Sequence, residues 1–366
     1  MKRGTNSSLM KENNKKLILN LIRQKHYSRV ELAQKTGLTK ASITIIVEEL
    51  IKEGLVSEEE TNYCGIGRKP IHLKLCADAR YAVGISISRY SWRAGVVDLA
   101  GNLIGAKDGG DMNEPPQLVL EKITETITSL IEKIPPEKII GIGVTTPGPV
   151  DYKTNTILTP PNFTNWHNFQ LGKTLSELCG LSVWLENISN ASALAEAYFG
   201  GCTNEENYGY IIVDEGIGSG IVVGGKIYRG KSGYGNELGH TSINFQGIEC
   251  ECGNRGCLEK YASIPNLLKG SPYTSWKEVI EEDDQRIIGQ EADYLSCAII
   301  NLINLFDLSK VILGGDIAYG GEGFAREISH IVNARIIVSN QVRVCISKNI
   351  DKTVIAASIA LNQVFK

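Results

Sequence analysis

Hydrophobic positions along the 366-residue chain follow two regimes, a helical period near the N-terminus and a strand period from Tyr81 onward. Over residues 15–23 the pairs Leu17/Leu21 and Ile18/Ile22 recur at i, i+4, as on one side of a helix. Ser28-Arg-Val-Glu31 has the spacing of a capping box and opens a second short helix, carrying Leu32 and Ala33 and ended by Gly37. Thr39-Lys-Ala-Ser42 opens a third that runs to Glu53, with Ile43, Val47 and Leu50 turned inward and Gly54 as its stop. Helix, short helix, glycine turn, helix is a helix-turn-helix. Behind it, the glycine-rich basic stretch over residues 62–70 and the alternating Ile71-His-Leu-Lys-Leu75 predict two strands joined by a tip, a wing.

From Tyr81 the period shortens to two. Ala82-Val-Gly-Ile-Ser-Ile87, Trp92-Arg-Ala-Gly-Val-Val97 and Asp98-Leu-Ala-Gly101-Asn-Leu-Ile104 read as strand, turn, strand, and the same order recurs over residues 209–228. Each half continues into αβ units: a helix over 116–133 and a strand over 139–144, then a helix over 291–306 and a strand over 310–313 ahead of Gly314-Gly315. This internal repeat predicts an α/β body of two similar lobes, about 79–190 and 191–366, with a cleft between them, behind a DNA-binding domain over 1–78. Such a duplicated, ribonuclease H-like body is the actin-like architecture shared by sugar kinases.

Charge sharpens the division. Residues 1–80 hold 15 Lys and Arg against 9 Asp and Glu, and the remainder holds 23 against 32, so a basic head precedes an acidic body. That asymmetry suits a tethered nucleic-acid reader. Within the third helix, Thr39, Lys40, Ala41, Ser42 and Thr44 are small or hydrogen-bonding, which allows close approach to base edges and phosphates in a major groove. Arg68 and Lys69, at the wing tip, would reach phosphates or a narrow minor groove. No apolar run is long enough to span a bilayer, and the charged N-terminus is followed by no apolar segment, so neither membrane nor export is expected. The nine cysteines are odd in number and six are scattered, which fits reduced thiols in a cytoplasm.

The remaining three cysteines make the sharpest chemical signal: Glu237-Leu-Gly-His240, nine residues, then Cys250-Glu-Cys252-Gly-Asn-Arg-Gly-Cys257-Leu-Glu259. His240, Cys250, Cys252 and Cys257 would close a tetrahedral zinc shell with no place left for a metal-bound water, which makes the ion structural. Carboxylates flank the ligands on both sides, and a closed shell would hold Glu237 and Glu259 near one another.

On these motifs the chain resembles the ROK family of repressors and sugar kinases. The resemblance rests also on Gly141-Ile-Gly-Val-Thr-Thr-Pro147-Gly148-Pro149-Val-Asp151, Thr159-Pro-Pro-Asn162-Phe-Thr-Asn-Trp166 and Glu186-Asn187 with Ala191-Ser-Ala-Leu-Ala-Glu196. With a winged helix in front, the chain is similar to that family's xylose-type and N-acetylglucosamine-type regulators. The resemblance implies a sugar site of Asn162, Asn187, Glu237, His240 and Glu259. It also implies operator DNA and a monosaccharide inducer (xylose, glucose or an N-acetylhexosamine) as partners, and a homodimer or tetramer.

A sugar kinase is the alternative, and the residues oppose it. Where family kinases carry Asp-x-Gly-Gly-Thr in the first hairpin, this chain has Ser86, Ser88, Arg89 and Tyr90. Asp214-Glu215 stands where Gly-Thr usually precedes the second glycine run, and Ile188 occupies the place of the catalytic Asp. An isoleucine cannot accept a proton from a sugar hydroxyl. A zinc-responsive regulator is a third reading, weakened by the closed ligand shell.

Overall fold

The computed structural model describes residues 7–60, 71–110, 112–203, 205–231, 233, 235–337 and 341–365. The chain divides into two compact units, the first made of Met1–Pro147, Tyr152–Glu186 and Lys352–Lys366, the second of Gly148–Asp151 and Asn187–Asp351.

The first unit begins with three helices, α1 (Ser7–Gln24), α2 (Arg29–Thr36) and α3 (Lys40–Lys52). The predicted capping box is present: Glu31 N–H donates to Ser28 Oγ, and the Ser28 N–H returns to the Glu31 carboxylate at 2.7 Å. That donated N–H holds the Glu31 pKa below its ordinary value. Gly37 ends α2 in the left-handed region at φ 71°, as a glycine C-cap does. Ile18, Ile22, Leu32, Ile43, Val47 and Leu50 are buried together as the core of this helical head. Strands β1 (Val56–Glu60) and β2 (Ile71–Leu75) pair antiparallel, forming the stem of the expected wing. Its tip, with Arg68 and Lys69, lies outside the described residues.

Helix α1 begins well before the apolar pattern at Leu17, because polar contacts extend it: Lys11 pairs with Glu49 of α3, and Lys15 with Glu53 at 2.5 Å.

The sheet of the first unit contains β3 (Tyr81–Ile87), β4 (Ser91–Asp98), β5 (Leu103–Gly110) and β6 (Ile139–Thr146), with α4 (Pro116–Ile131) between the last two. Short strands β7 (Val150–Asp151) and β8 (Thr156–Ile157), helix α5 (Leu171–Cys179) and β9 (Val183–Asn187) follow, and the strand order is β5-β4-β3-β6-β9.

The second unit repeats the plan. Helix α6 (Ile188–Phe199) leads to β10 (Tyr208–Val213), β11 (Ile217–Val223) and β12 (Lys226–Ile227). Short helices α7 (Glu259–Ala262), α8 (Ile264–Leu267) and α9 (Trp276–Glu281) precede the long α10 (Gln285–Phe306), then β13 (Lys310–Gly314), α11 (Gly321–Arg335) and β14 (Arg343–Ile346). The order β12-β11-β10-β13-β14 matches the first sheet strand for strand, with two antiparallel hairpin pairings and a parallel crossover from β10 to β13. Alternation along β10 sorts its residues between two layers: Tyr208 and Tyr210 join Ala193 and Leu194 of α6, while Ile211 and Val213 join the large core of α10 and α11.

The last helix, α12 (Lys352–Phe365), returns to the first unit, a placement outside the halves read from sequence. It lies so close to the sheet that a side chain at Gly84 would run into the Thr353 carbonyl, and one at Gly143 into the Ala356 carbonyl. Helix α4 covers the other face, since Gly105 opposite Val96 meets Leu130 while its neighbour Gly95 meets Thr353. At its far end α12 touches the helical head: Asn20 Nδ2 donates to the Phe365 carbonyl at 2.5 Å, and the Arg23 guanidinium lies 5.3 Å from the Phe365 ring centre.

Because backbone rather than a pliable side chain blocks the space, Gly143→Ala is expected to cost at least ~1–3 kcal/mol. Urea unfolding of the full chain measures this, and a midpoint equal to wild type would show that α12 yields without strain.

Candidate metal centre and ligand-binding residues

The loop between β12 and α7 is built to bring four ligands to one point. Glu237 precedes a single 3-10 turn, Leu238–His240, and the chain then runs beside its own later part: Leu258 N–H donates to the Thr241 carbonyl, and Ile243 N–H to the Gly256 carbonyl, both at 2.9 Å. A tight knuckle follows, with Gly253 N–H donating to the Cys250 carbonyl and Cys250 N–H to the Asn254 carbonyl. Gly256, at φ 72°, is required twice over, because a Cβ there would strike the Asn244 carbonyl.

The ligand atoms of His240, Cys250, Cys252 and Cys257 all lie within 4.8 Å of one another. Cys252 and Cys257 sulfurs are 3.6 Å apart, and Cys250 Sγ is 3.7 Å from His240 Nδ1. Zinc–sulfur bonds of about 2.3 Å in a tetrahedron separate sulfurs by about 3.8 Å, so the cluster fits a zinc ion with little movement. Three thiols and an imidazole are also the donors zinc prefers in structural sites. When bound, the ion would cross-link His240 to the knuckle; burial pushes the metal-free Cys257 thiol up to about 12, so binding has to displace that proton. The Asn254 amide, donating to the His240 carbonyl at 3.1 Å, fixes the histidine from behind.

Around this cluster sit polar groups with unspent capacity. Nδ1 of His240 faces the thiols, which turns Nε2 the other way. Glu259 Oε2 accepts from the Ile217 N–H at 2.8 Å, and among the described residues its other oxygen takes no hydrogen bond. The Glu237 carboxylate likewise takes none among the described residues, although Glu237 as a whole lies open to solvent. Loss of hydration at that carboxyl raises its pKa, His240 opposes the rise and the charge of Glu259 reinforces it. His240 and Glu259 are therefore close enough for their charges to act on Glu237.

Asn187 belongs to the same unit and caps α6: its Oδ1 accepts from the Asn190 N–H at 2.8 Å, a role that the sequence reading did not foresee. Ile188 is the first residue of that helix. Asn162 belongs to the first unit, exposed at φ 57° on a loop anchored by Trp166, which is fully buried and stacked on Phe163.

The glycine run Gly216-Ile-Gly-Ser-Gly220 has a packing reason. Side chains at Gly218 and Gly220 would meet Ser189 of α6, and one at Gly216 would meet the Glu259 carboxylate. Two further places bear on phosphate chemistry. In the β3–β4 turn, Ser88 Oγ accepts from the Ser91 and Tyr90 N–H groups and donates to the Ser91 carbonyl, while Arg89 Nε donates to the Pro161 carbonyl. After β13, the Asp214 carboxylate accepts from the Asp316 N–H at 2.5 Å and fills the space beside Gly315.

In the head, Thr39 caps α3 by accepting from the Ser42 N–H at 3.2 Å, and the Thr44 hydroxyl donates back to the Lys40 carbonyl. Lys40 and Ala41 are exposed beside them.

Comparison with known proteins agrees with this geometry over its length. The model of the ROK family matches residues 82–359. A xylose repressor of Caldicellulosiruptor bescii is 30% identical over 97% of this chain and 96% of its own. The transcriptional dual regulator NagC of Escherichia coli is 27% identical over 91% and 87%. Among solved structures, a ROK family transcriptional regulator homologous to the E. coli MLC protein superposes with a TM-score of 0.79 at 26% identity, covering 97% of both chains. A ROK hexokinase from Thermus thermophilus reaches 0.66 at 27% identity and covers 77% of this chain and 97% of its own.

Cys257→Ser is expected to strip the metal and lower the melting temperature. Metal content by mass spectrometry checks it, and full metal retention would rule out the four-ligand shell.

Proposed function

The chain belongs to the ROK family, and from that premise we propose that it is a sugar-responsive transcriptional repressor rather than a sugar kinase. The similarity to named regulators runs from the helical head through the body, covering 97% of this chain in both the xylose repressor and the regulator structure. The hexokinase comparison covers 77% of it. On this reading the head binds operator DNA through Thr39, Lys40, Ala41, Ser42 and Thr44, with Arg68 and Lys69 on the wing tip. A homodimer would set two recognition helices about 34–36 Å apart on a palindromic site. The protein works in the cytoplasm; among the described residues no helix is long and apolar enough to cross a membrane.

The observation that carries the sugar site is the set of unspent acceptors and donors around the cysteine cluster. Among the described residues the Glu237 carboxylate and the second oxygen of Glu259 keep their capacity to accept, and a pair of vicinal hydroxyls would fill it. The second nitrogen of His240 adds one more contact, and Asn187, in the same unit, supplies an amide. A zinc ion bound by the three thiols and His240 would hold the imidazole in place and, with its shell closed, would serve structure alone. Xylose, named for the relative that aligns over nearly its full length, stands first among candidate inducers, ahead of glucose and N-acetylhexosamines.

Support against catalysis comes from groups already engaged. The N–H donors of the first hairpin that would meet a phosphate are held by Ser88, and Asp214 places a carboxylate on the loop after β13. Two such sites repel or ignore a polyphosphate, and Ile188 supplies no base.

Fluorescence anisotropy of the purified protein on duplex DNA from upstream of its own gene tests the reading at fixed salt. Xylose or another aldose is expected to release the DNA, and Glu237→Gln to keep DNA affinity while requiring at least about tenfold more sugar, in line with the loss of ~1.5 kcal/mol or more for a charged hydrogen bond. Loss of DNA binding in the variant would instead indict folding.

A second measurement separates the enzyme from the regulator. No ATP turnover above background is expected with any aldose; sugar-dependent ADP release would restore the kinase.

A further inference from the structure

Helix α3 carries one residue whose chemistry differs from its surroundings. Ile43, Ile46, Val47 and Leu50 form its buried face. With about 100° per residue, Ile45 falls about 200° around the helix from Ile43, on the crest opposite the core. It is 54% exposed, on a crest shared with Ala41 and Glu48 and flanked by Ser42 and Thr44. The ion pairs of Lys11 with Glu49 and Lys15 with Glu53 tie one flank of α3 to α1 and leave this crest outward. A lone exposed isoleucine is ordinary on most surfaces, but here it stands at the middle of the element that would enter a groove.

We propose that Ile45 is a specificity-determining residue that packs against the 5-methyl group of a thymine in the major groove. The inference rests on the repressor reading above. An aliphatic side chain offers no hydrogen bond, and the apolar group that stands out furthest from a base edge into the major groove is the thymine methyl. Isoleucine is stiff at χ1, so little side-chain freedom is lost when it docks. Ala41, one turn earlier on the same crest, leaves the backbone room to approach. Thr39, Ser42 and Thr44 use part of their hydroxyl capacity within the helix and keep the rest for DNA, whereas Ile45 can read only an apolar feature.

The test uses the full-length protein and a randomised duplex pool. The preferred duplex is selected, each thymine is replaced in turn by deoxyuridine, and affinity is read by fluorescence anisotropy at fixed salt. Removing one methyl is expected to weaken wild-type binding about fourfold at one thymine of each half-site. Ile45→Ala should weaken binding to the methylated duplex by a similar factor and become indifferent to that methyl. Ile45→Gln, selected afresh, should exchange the thymine for an adenine, whose N6 and N7 a glutamine amide can pair. The inference is overturned if wild type discriminates at no thymine, or if Ile45→Ala keeps the full wild-type discrimination. A pool in which no sequence is enriched sinks the repressor reading itself, and this inference with it.

Discussion

A helix pressed onto a strand until only glycine fits beneath it is the constraint on which both units are built. In the first, α12 rests on Gly84 and Gly143; in the second, α6 rests on Gly218 and Gly220. Such contact brings backbone against backbone, so neither partner can slide without losing the packing around it. Each seat fixes something chemical at a helix end. The α6 seat fixes Asn187 at the helix start and, through Gly216, leaves room for the Glu259 carboxylate. The α12 seat fixes Phe365 at the helix end, where Asn20 and Arg23 of the head meet it.

The polar groups fall into two populations. Those in the two loops that the family resemblance assigns to phosphate are already satisfied: Ser88 closes its own turn and Asp214 holds the loop after β13. Those around the cysteine cluster are not: the Glu237 carboxylate and one oxygen of Glu259 take no hydrogen bond among the described residues. Internal satisfaction makes a stable loop and a poor binding site, whereas a carboxylate with acceptor capacity left over can still take a ligand's hydroxyls. On the proposed reading, that contrast is what separates a sugar sensor from the kinases whose architecture it shares.

Much of this was legible because it was local. The capping box of Ser28 and Glu31, the left-handed Gly37 and the His240, Cys250, Cys252, Cys257 spacing are short-range patterns with a single geometric solution. The duplicated strand order was legible because alternation repeats at the same offsets in both sheets. What stayed hidden depends on partners distant in sequence. Nothing near Lys352 announces that α12 recrosses to the first sheet, because its near-continuous burial comes from a strand more than two hundred residues earlier. The early start of α1 depends on Glu49 and Glu53, and the second duty of Glu259 depends on the Ile217 N–H. The glycine run of the second hairpin was read only through its likeness to the family; its crowding against Ser189 supplies a packing reason that no neighbour in sequence reveals.

The head is not strung from the first sheet by a flexible tether. Cys76 N–H donates to the Leu55 carbonyl and Leu99 N–H to the Ala77 carbonyl, while Lys138 Nζ donates to the Asp78 carbonyl and Asn20 to the Phe365 carbonyl. The first bond closes the base of the wing stem, the next two tie residues 77 and 78 to the end of β4 and to the segment before β6, and the fourth ties α1 to α12. Each such bond contributes about 1 kcal/mol, so the head is held to the first sheet at several separate points within one compact unit. Phe365, buried under the Arg23 guanidinium, adds a packed aromatic ring to those hydrogen bonds where α12 meets α1.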